Sequence, residues 1–307
     1  MSSPFHIAFA IDAGYSRQLR VLVASLLTCN KKEDLCLHVL HAKLSPRQET
    51  DLRLFTEKHQ VTCRFHYIAQ TRVKDLPVKM DYLSSVQYYR LFIPEFIPAH
   101  VSRVLYLDTD TMVCRNLAPL FNEDLHGCTV GAVEDLDVQA SCERLGIPRS
   151  KGYFNSGVLL MDLPLWAQHN ITAHVQKYLI THRNHSSKCK YPDQDALNTV
   201  LQETRHSLPL AWNAYACYRW FPPHELSPAQ RAAITDPGII HFTGPEKPWL
   251  ANYSPPYRKQ YQHYAQLAGI RFPFTFSLNA FRDRRRQEQR LRSMRKLHLA
   301  AGLRDHF

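Results

Sequence analysis

Arg103-Val104-Leu105-Tyr106-Leu107-Asp108-Thr109-Asp110 is a near-continuous apolar run that stops on two carboxylates. A strand apolar on both faces belongs in the middle of a covered sheet, the parallel α/β arrangement. Two carboxylates one residue apart, where the chain leaves that sheet, can converge on one divalent cation. Hard oxygen ligands of this kind suit Mg²⁺ or Mn²⁺ held together with substrate phosphates. A solvated turn or a helix cap would use the same residues, so the pair by itself leaves both readings open.

Outward from this strand, the chain alternates strand-like and helix-like segments. Phe5–Ile11, Leu35–Leu40 and Val61–Ile68 read as strands, with helical apolar spacing over Gln18–Leu27. Ser45-Pro46-Arg47-Gln48 has the form of a capped helix start, with Ser at the N-cap, Pro in the first turn and Gln at the third position. A helix is predicted from about Tyr82 to Phe92. Further strands fall at Thr129–Val133, Phe154–Met161 and Gly238–Phe242, with helices near Leu165–Thr181 and Gln194–Gln202. The pattern predicts a doubly wound, largely parallel sheet. Ligands of such sheets sit beyond the carboxyl ends of strands, which singles out Asp12–Tyr15 and the segment after Leu107.

With 307 residues, 45% hydrophobic and 21% charged, the chain is an ordinary globular protein and not a disordered one. No run is long enough to span a bilayer, and the apolar start is broken by His6 and Asp12, so it reads as a strand and not a signal peptide. A cytoplasmic location is expected. Eight cysteines show no CxxC pair and are expected to be reduced thiols. The formal charge is +11, and Arg282–Phe307 holds nine Lys/Arg against three Asp/Glu, a net +6. The charge therefore belongs to a tail, which argues against a nucleic-acid-binding body.

Three other segments carry chemistry. His241-Phe242-Thr243-Gly244-Pro245-Glu246-Lys247-Pro248-Trp249 places a His at a strand end, followed by a Gly that permits close backbone approach and a Lys that can meet phosphate. An imidazole beside two carboxylates favours manganese. Tyr153-Phe154-Asn155-Ser156-Gly157-Val158 and Tyr191-Pro192-Asp193-Gln194-Asp195 offer amides and carboxylates that suit sugar hydroxyls. Helix capping is the competing reading for Asp193 and Asp195.

In order and spacing, these segments, with Phe9–Tyr15 and Tyr89-Arg90-Leu91, resemble glycosyltransferase family 8. That family includes bacterial lipooligosaccharide galactosyltransferases and lipopolysaccharide glucosyl- and galactosyltransferases, and the resemblance spans roughly residues 5 to 270. It implies a single GT-A catalytic domain, a Rossmann-like mixed sheet flanked by helices; the change of composition beyond Phe276 bounds that domain at residues 1–276 and leaves a basic helical tail over 277–307. It implies a retaining hexosyltransferase that takes galactose or glucose from UDP-galactose or UDP-glucose to a saccharide acceptor. Asp108, Asp110 and His241 correspond to the Mn²⁺ ligands, with Mg²⁺ as the alternative ion. Ala10, Asp12 and Tyr15 correspond to nucleoside contacts, and Thr109, Gly244 and Lys247 to further donor contacts, the last two at the diphosphate. Arg90, Asn155, Ser156, Asp193 and Gln194 correspond to the hexose pocket. The family often has Asn where Gly14 stands, and Ala or Ser at the position of Ser156.

Departing UDP develops charge on its β-phosphate, which the cation and Lys247 would neutralise. Gln194 is the candidate beneath the anomeric carbon, Asp193 the candidate carboxylate nearby, and Asp135 an acceptor-side candidate. A UDP-sugar hydrolase is the rival enzyme. In the tail, Leu291, Met294, Leu297 and Ala301 share one arc of a helical wheel. Basic amphipathic segments lie on anionic membrane surfaces, which suggests inner-leaflet attachment near a lipid-linked core saccharide.

Overall fold

The computed structural model describes residues 4–77, 85–184, 190–245, 247–250, 256–272 and 292–303. Their strands are β1 Phe5–Ile11, β2 Leu35–His41, β3 Thr62–Tyr67, β4 Arg103–Leu107, β5 Thr111–Val113, β6 Val130–Glu134, β7 Phe154–Asp162, β8 Arg205–Ser207, β9 Ala214–Tyr215 and β10 Ile239–His241. The chain divides into two compact units, one of residues 1–16, 32–109 and 118–208, the other of residues 17–31, 110–117 and 209–307.

The first unit is built on a seven-stranded sheet in the order β3-β2-β1-β4-β7-β6-β8. β3, β2, β1 and β4 run parallel, while β7 is antiparallel to both β4 and β6. The sheet is therefore mixed, as the family resemblance implies. β1 and β4 match their predicted bounds because both are buried on both faces and, apart from His6 and Arg103, apolar, the mark of central strands. One face packs Ala8, Ala10, Leu40, Val104 and Tyr106 into a core with Tyr88, Phe92 and Trp166. β4 pairs Leu107 with Val158, and the Asp108 amide then donates to the Gly157 carbonyl at 2.8 Å. That pairing sets Asp108 beside the Asn155–Gly157 segment.

Two connections in this unit differ from the sequence expectation. The helix expected to end at Phe92 is a 3₁₀ run over Ser85–Phe92, and residues 82–84 of that expectation lie outside the described residues. The single helix expected over Leu165–Thr181 is two helices, Leu163–Gln168 and Ile171–His182. Asn170 between them has φ 49°, a left-handed conformation that Asn tolerates and that ends the first helix.

Capping chemistry also fixes the turn after β1. Ser45 accepts from the Gln48 amide, and Gln48 returns a bond to the Ser45 amide. The same Gln48 side chain donates to the Ala13 carbonyl at 2.7 Å and to Ser16 Oγ at 2.9 Å. It thereby ties the Asp12–Tyr15 turn to the helix Pro46–Glu57.

The second unit holds the three-stranded sheet β5-β10-β9. None of β5, β8 or β9 was predicted, since runs of two or three residues carry no readable period. Ser25 Oγ accepts from the Val113 amide at 3.0 Å, and Asn30 Oδ1 accepts from Leu117 at 2.8 Å, so helix Ser16–Cys29 and its end anchor β5 and the turn beyond it. The tail helix 292–300 packs through His298, 1% exposed, which meets Arg219 and the Phe221 carbonyl. Leu303 joins a cluster with Tyr215, Tyr218, Leu226 and Ile234. Leu297, from the predicted apolar arc, stays 44% exposed beside exposed Arg292, Arg295 and Lys296. The predicted boundary at Phe276 and the arc's first member Leu291 lie outside the described residues, as does Glu246.

Candidate functional site

In the first unit, the donor residues expected from the sequence gather at the carboxyl end of β4. Arg90 is its hub. This buried guanidinium donates from Nη2 to Asp108 Oδ1 at 2.9 Å and lies 3.5 Å from Asp193 Oδ2. Nη1 binds the Ser156 carbonyl, and Nε donates to Gln87 at 3.0 Å. Its carbon sits 4.5 Å from the centre of the Tyr106 ring. The planar fork reaches acceptors along two edges at once, a spread that a lysine's single nitrogen could not cover. Burial, with the neighbouring Asp108 charge, raises the Asp193 carboxyl above its ordinary range, although Arg90 opposes the shift. Tyr106 donates to the same Asp108 oxygen at 2.5 Å.

Gln194, in the first turn of the helix Pro192–Leu201, uses every hydrogen-bonding position of its amide. Oε1 accepts from the Ser156 amide at 3.0 Å and Asn155 at 3.1 Å. Nε2 donates to Asp135 at 2.9 Å and Tyr153 at 3.1 Å. Asp135, predicted on the acceptor side, is thus joined to Gln194 directly. Asp195 is fully buried and accepts two bonds from Arg144, at 2.7 and 2.8 Å, and one from Tyr153 at 2.6 Å. It also takes the Tyr191 amide at 3.0 Å, so it fastens the helix start from within and has no lone pair to spare.

At the other predicted end, Asp12 caps the turn Ala13–Tyr15 by accepting from Gly14 at 2.8 Å and Tyr15 at 3.2 Å. Ala10 and Asp12 close the carboxyl end of β1, and Thr109 is buried.

In the second unit, Asp110, His241 and Lys247 come together. His241 Nε2 lies 3.3 Å from Asp110 Oδ1, and Lys247 Nζ donates to Asp110 Oδ2 at 2.6 Å. Lys247 also donates to the Phe242 carbonyl at 2.7 Å, which uses two of its three hydrogens. Despite burial, which pushes the other way, Lys247 holds the Asp110 carboxyl well below its ordinary range, joined by His241 only when its Nε2 carries a hydrogen. His241 Nδ1 faces Asn213 Oδ1 at 2.9 Å. With Nδ1 as donor, Nε2 keeps its lone pair and turns it toward a carboxylate oxygen. Two acceptors so placed suit a shared cation, and a His ligand held through its other nitrogen is the usual support. Gly244 has φ 80°, open to glycine but strained for other residues, and a Cβ there would meet nothing within 4 Å.

Asn213 lies outside every motif read from the sequence, and Tyr106 and Tyr153, though inside quoted motifs, carried no assigned role. Tyr106 had a signal, standing on β4 two residues before Asp108. Asn213 had none.

A family model described as glycosyl transferase family 8 matches residues 6–253. General stress protein A of Bacillus subtilis (strain 168) is 31% identical over 265 residues, covering 84% of this chain and 92% of that protein. Lipopolysaccharide 1,2-glucosyltransferase of Escherichia coli (strain K12) is 27% identical over 252 residues, 81% of this chain and 73% of that one. A solved structure of an active-site mutant of LgtC matches with a TM-score of 0.77 at 25% identity, covering 86% of this chain and 96% of that chain. With the mixed seven-stranded sheet, this makes the fold GT-A. The chain belongs to glycosyl transferase family 8.

Proposed function

We propose that the protein is a retaining, manganese-assisted hexosyltransferase that moves galactose or glucose from a UDP-sugar to a saccharide acceptor. The observation that carries this reading is Asp110 flanked by His241 and Lys247, with His241 turned by Asn213. Asp110 and His241, with Asp108 two positions before Asp110 along the chain, would hold the divalent cation; oxygen and imidazole donors fit Mn²⁺, with Mg²⁺ the alternative. Bound there, the cation supplies Lewis-acid stabilisation of the diphosphate.

The chain's own residues do the rest. Lys247 has one hydrogen left to give, and a phosphate oxygen is the acceptor it suits. Fixed by Asp110 and Phe242, it needs no reorganisation as charge builds on the leaving group. Ala10, Asp12 and Tyr15 hold the nucleoside, Tyr15 by stacking on the base. Thr109 and Gly244 contribute backbone approach to the donor. Arg90 neutralises Asp108 and Asp193 so that both can line one pocket, and Asn155, Ser156 and Gln194 face the hexose. Gln194, locked at both ends of its amide, lies beneath the anomeric carbon, with Asp193 beside it. Asp135, tied to Gln194, couples the acceptor side to that position.

The catalytic domain is residues 1–276, and the tail of 277–307 attaches to an anionic inner-leaflet surface near a lipid-linked acceptor such as a lipopolysaccharide core. The relatives named for lipopolysaccharide support the acceptor class. Exposed Leu297 beside Arg292, Arg295 and Lys296 supports the surface contact. Among the described residues no helix is long and apolar enough to cross a membrane.

A donor screen with Mn²⁺ tests the reading. UDP-galactose, UDP-glucose and their N-acetyl forms are compared by thermal shift and by sugar transfer. One of the two hexose donors should bind and be consumed with an acceptor present. Failure of every UDP-sugar to bind would overturn it, and equal turnover without an acceptor would indicate a hydrolase.

A further inference from the structure

At the amino end of the same sheet, away from the donor residues, three ligating atoms converge. His6 Nδ1 lies 2.9 Å from His38 Nε2, and Cys36 Sγ lies 3.5 Å from that same nitrogen. The three atoms all fall within 4.8 Å of one another. The sheet brings them together: His6 is the register partner of Cys36 across the parallel pair β1–β2, and His38 follows Cys36 two residues on, on the same face. All three are buried, His38 completely.

Hydrogen bonding alone serves this cluster poorly. An imidazole nitrogen offers either one hydrogen or one lone pair, never both. At His38 Nε2, both His6 and Cys36 present themselves, so one hydrogen or one lone pair must be shared between two neighbours in either tautomer. A cation would instead accept all three lone pairs. The rest of the array is already arranged as support. His38 Nδ1 faces His66 Nε2 of β3 at 3.0 Å, which orients the ring through its second nitrogen, as supported metal-ligating imidazoles are oriented. Burial pushes the Cys36 thiol above its ordinary range, and Arg64, the register partner of His38 on β3, opposes that shift with its charge and a hydrogen bond to the sulfur. Burial pushes the His38 pKa down to about 3, which keeps the ring in the neutral form a metal requires.

We propose that His6, Cys36 and His38 form a site for a thiophilic cation of the Zn²⁺ or Cu⁺ type, distinct from the donor site. Bonds of about 2.0–2.1 Å to nitrogen and 2.3 Å to sulfur set tetrahedral neighbours roughly 3.3 Å apart for two nitrogens and roughly 3.5 Å for nitrogen and sulfur. The Cys36–His38 spacing already fits, the His6–His38 pair must open by about 0.4 Å, and His6 Nδ1 lies within 4.8 Å of the Cys36 sulfur. On binding, the Cys36 thiol releases its proton to solvent and the sulfur becomes a thiolate ligand. The softness of an N₂S donor set excludes Mg²⁺ and Ca²⁺ from it. It also stands apart from the carboxylates: His6 pairs with Val104, and the four residues from there to Asp108 span about 13 Å of strand. The ion would clamp β1 to β2 and, through His66, brace β3.

Metal-stripped full-length protein is titrated with Co²⁺, Zn²⁺ and, under reducing anaerobic conditions, Cu⁺ competed against a chromophoric chelator. The expected result is a near-ultraviolet thiolate-to-cobalt band, or uptake of one Cu⁺ per chain. Cys36→Ser abolishes either signal, His241→Asn retains it, and His66→Gln weakens the affinity by roughly 10–100-fold. Wild-type protein that shows neither the band nor Cu⁺ uptake overturns the proposal, whether or not any variant folds. A signal that persists in folded Cys36→Ser overturns it as well.

Discussion

Asn213 Oδ1 and His241 Nδ1 stand 2.9 Å apart, a contact that leaves His241 Nε2 as the nitrogen facing Asp110. The amide acts on the site without touching a ligand. Replacing Asn213 by Ala frees the ring to rotate and to choose its tautomer. The expected outcome is a 10–100-fold higher Mn²⁺ requirement, roughly, with turnover largely restored at saturating metal. Titrating transfer rate against Mn²⁺ checks this; an unchanged half-saturation point would count against the cation being held by His241.

Arg90 is a buried cation serving Asp108 and Asp193. Arg90→Ala leaves both carboxylates without it and should cost about 3–5 kcal/mol of stability. Arg90→Lys restores the charge but not the fork that also reaches Ser156 and Gln87, so it should recover only part of the loss. Urea unfolding of the two variants distinguishes a charge role from a geometric one. Full recovery in the lysine variant would deny the geometric one.

Gln194 and Asp135 are joined at 2.9 Å. Gln194→Ala and Asp135→Ala should each lower kcat, and the double variant should fall short of the summed losses by about 0.5–3 kcal/mol, as for residues in contact. Additive losses in the double-mutant cycle would show that the two act separately.

The raised Asp193 carboxyl has a pH signature. Because its folded-state pKa lies above the ordinary 3.8, the stability this group adds is complete below that value and is lost as pH rises through the folded value. Relative to Asp193→Asn, the wild type measured in EDTA should therefore lose stability as pH climbs from below about 4 toward neutrality. Parallel curves for the two proteins would remove burial as the cause.

Gly238 packs so tightly that an added Cβ would sit 2.4 Å from Trp212 and 3.1 Å from the Ala211 carbonyl. Gly238→Ala should destabilise by about 1–3 kcal/mol through overpacking just ahead of β10. Thermal melting of the variant measures it, and a neutral result would show that Trp212 can swing aside.

Much of this fold can be read from one strand. β4 is apolar on both faces after Arg103, and β1 nearly so, which marks them as central and sets the carboxylates at a strand end. The antiparallel insertion of β7 beside β4 could not be read, since its register joins residues far apart in the chain and local pattern is blind to it. Strands of two or three residues leave no period. Asp108, Asp110, His241 and Lys247 were legible as ordered motifs, whereas Asn213 sits in a stretch without periodicity and acts only through a neighbour's ring. The tail shows the opposite difficulty. A helical wheel ranks side chains by polarity, yet within the described helix 292–300 the buried residue is His298, chosen by Arg219 and Phe221 from distant sequence.

Gln48, reaching Ala13 and Ser16 from another helix, braces the Asp12–Tyr15 turn, to which the proposed function gives the nucleoside. Binding then has little loop disorder left to remove, so affinity at that end reflects stiffness as much as contact. A residue that never meets the base would set how fast it leaves: in Gln48→Ala, UDP should dissociate faster while the chemistry of transfer is unchanged.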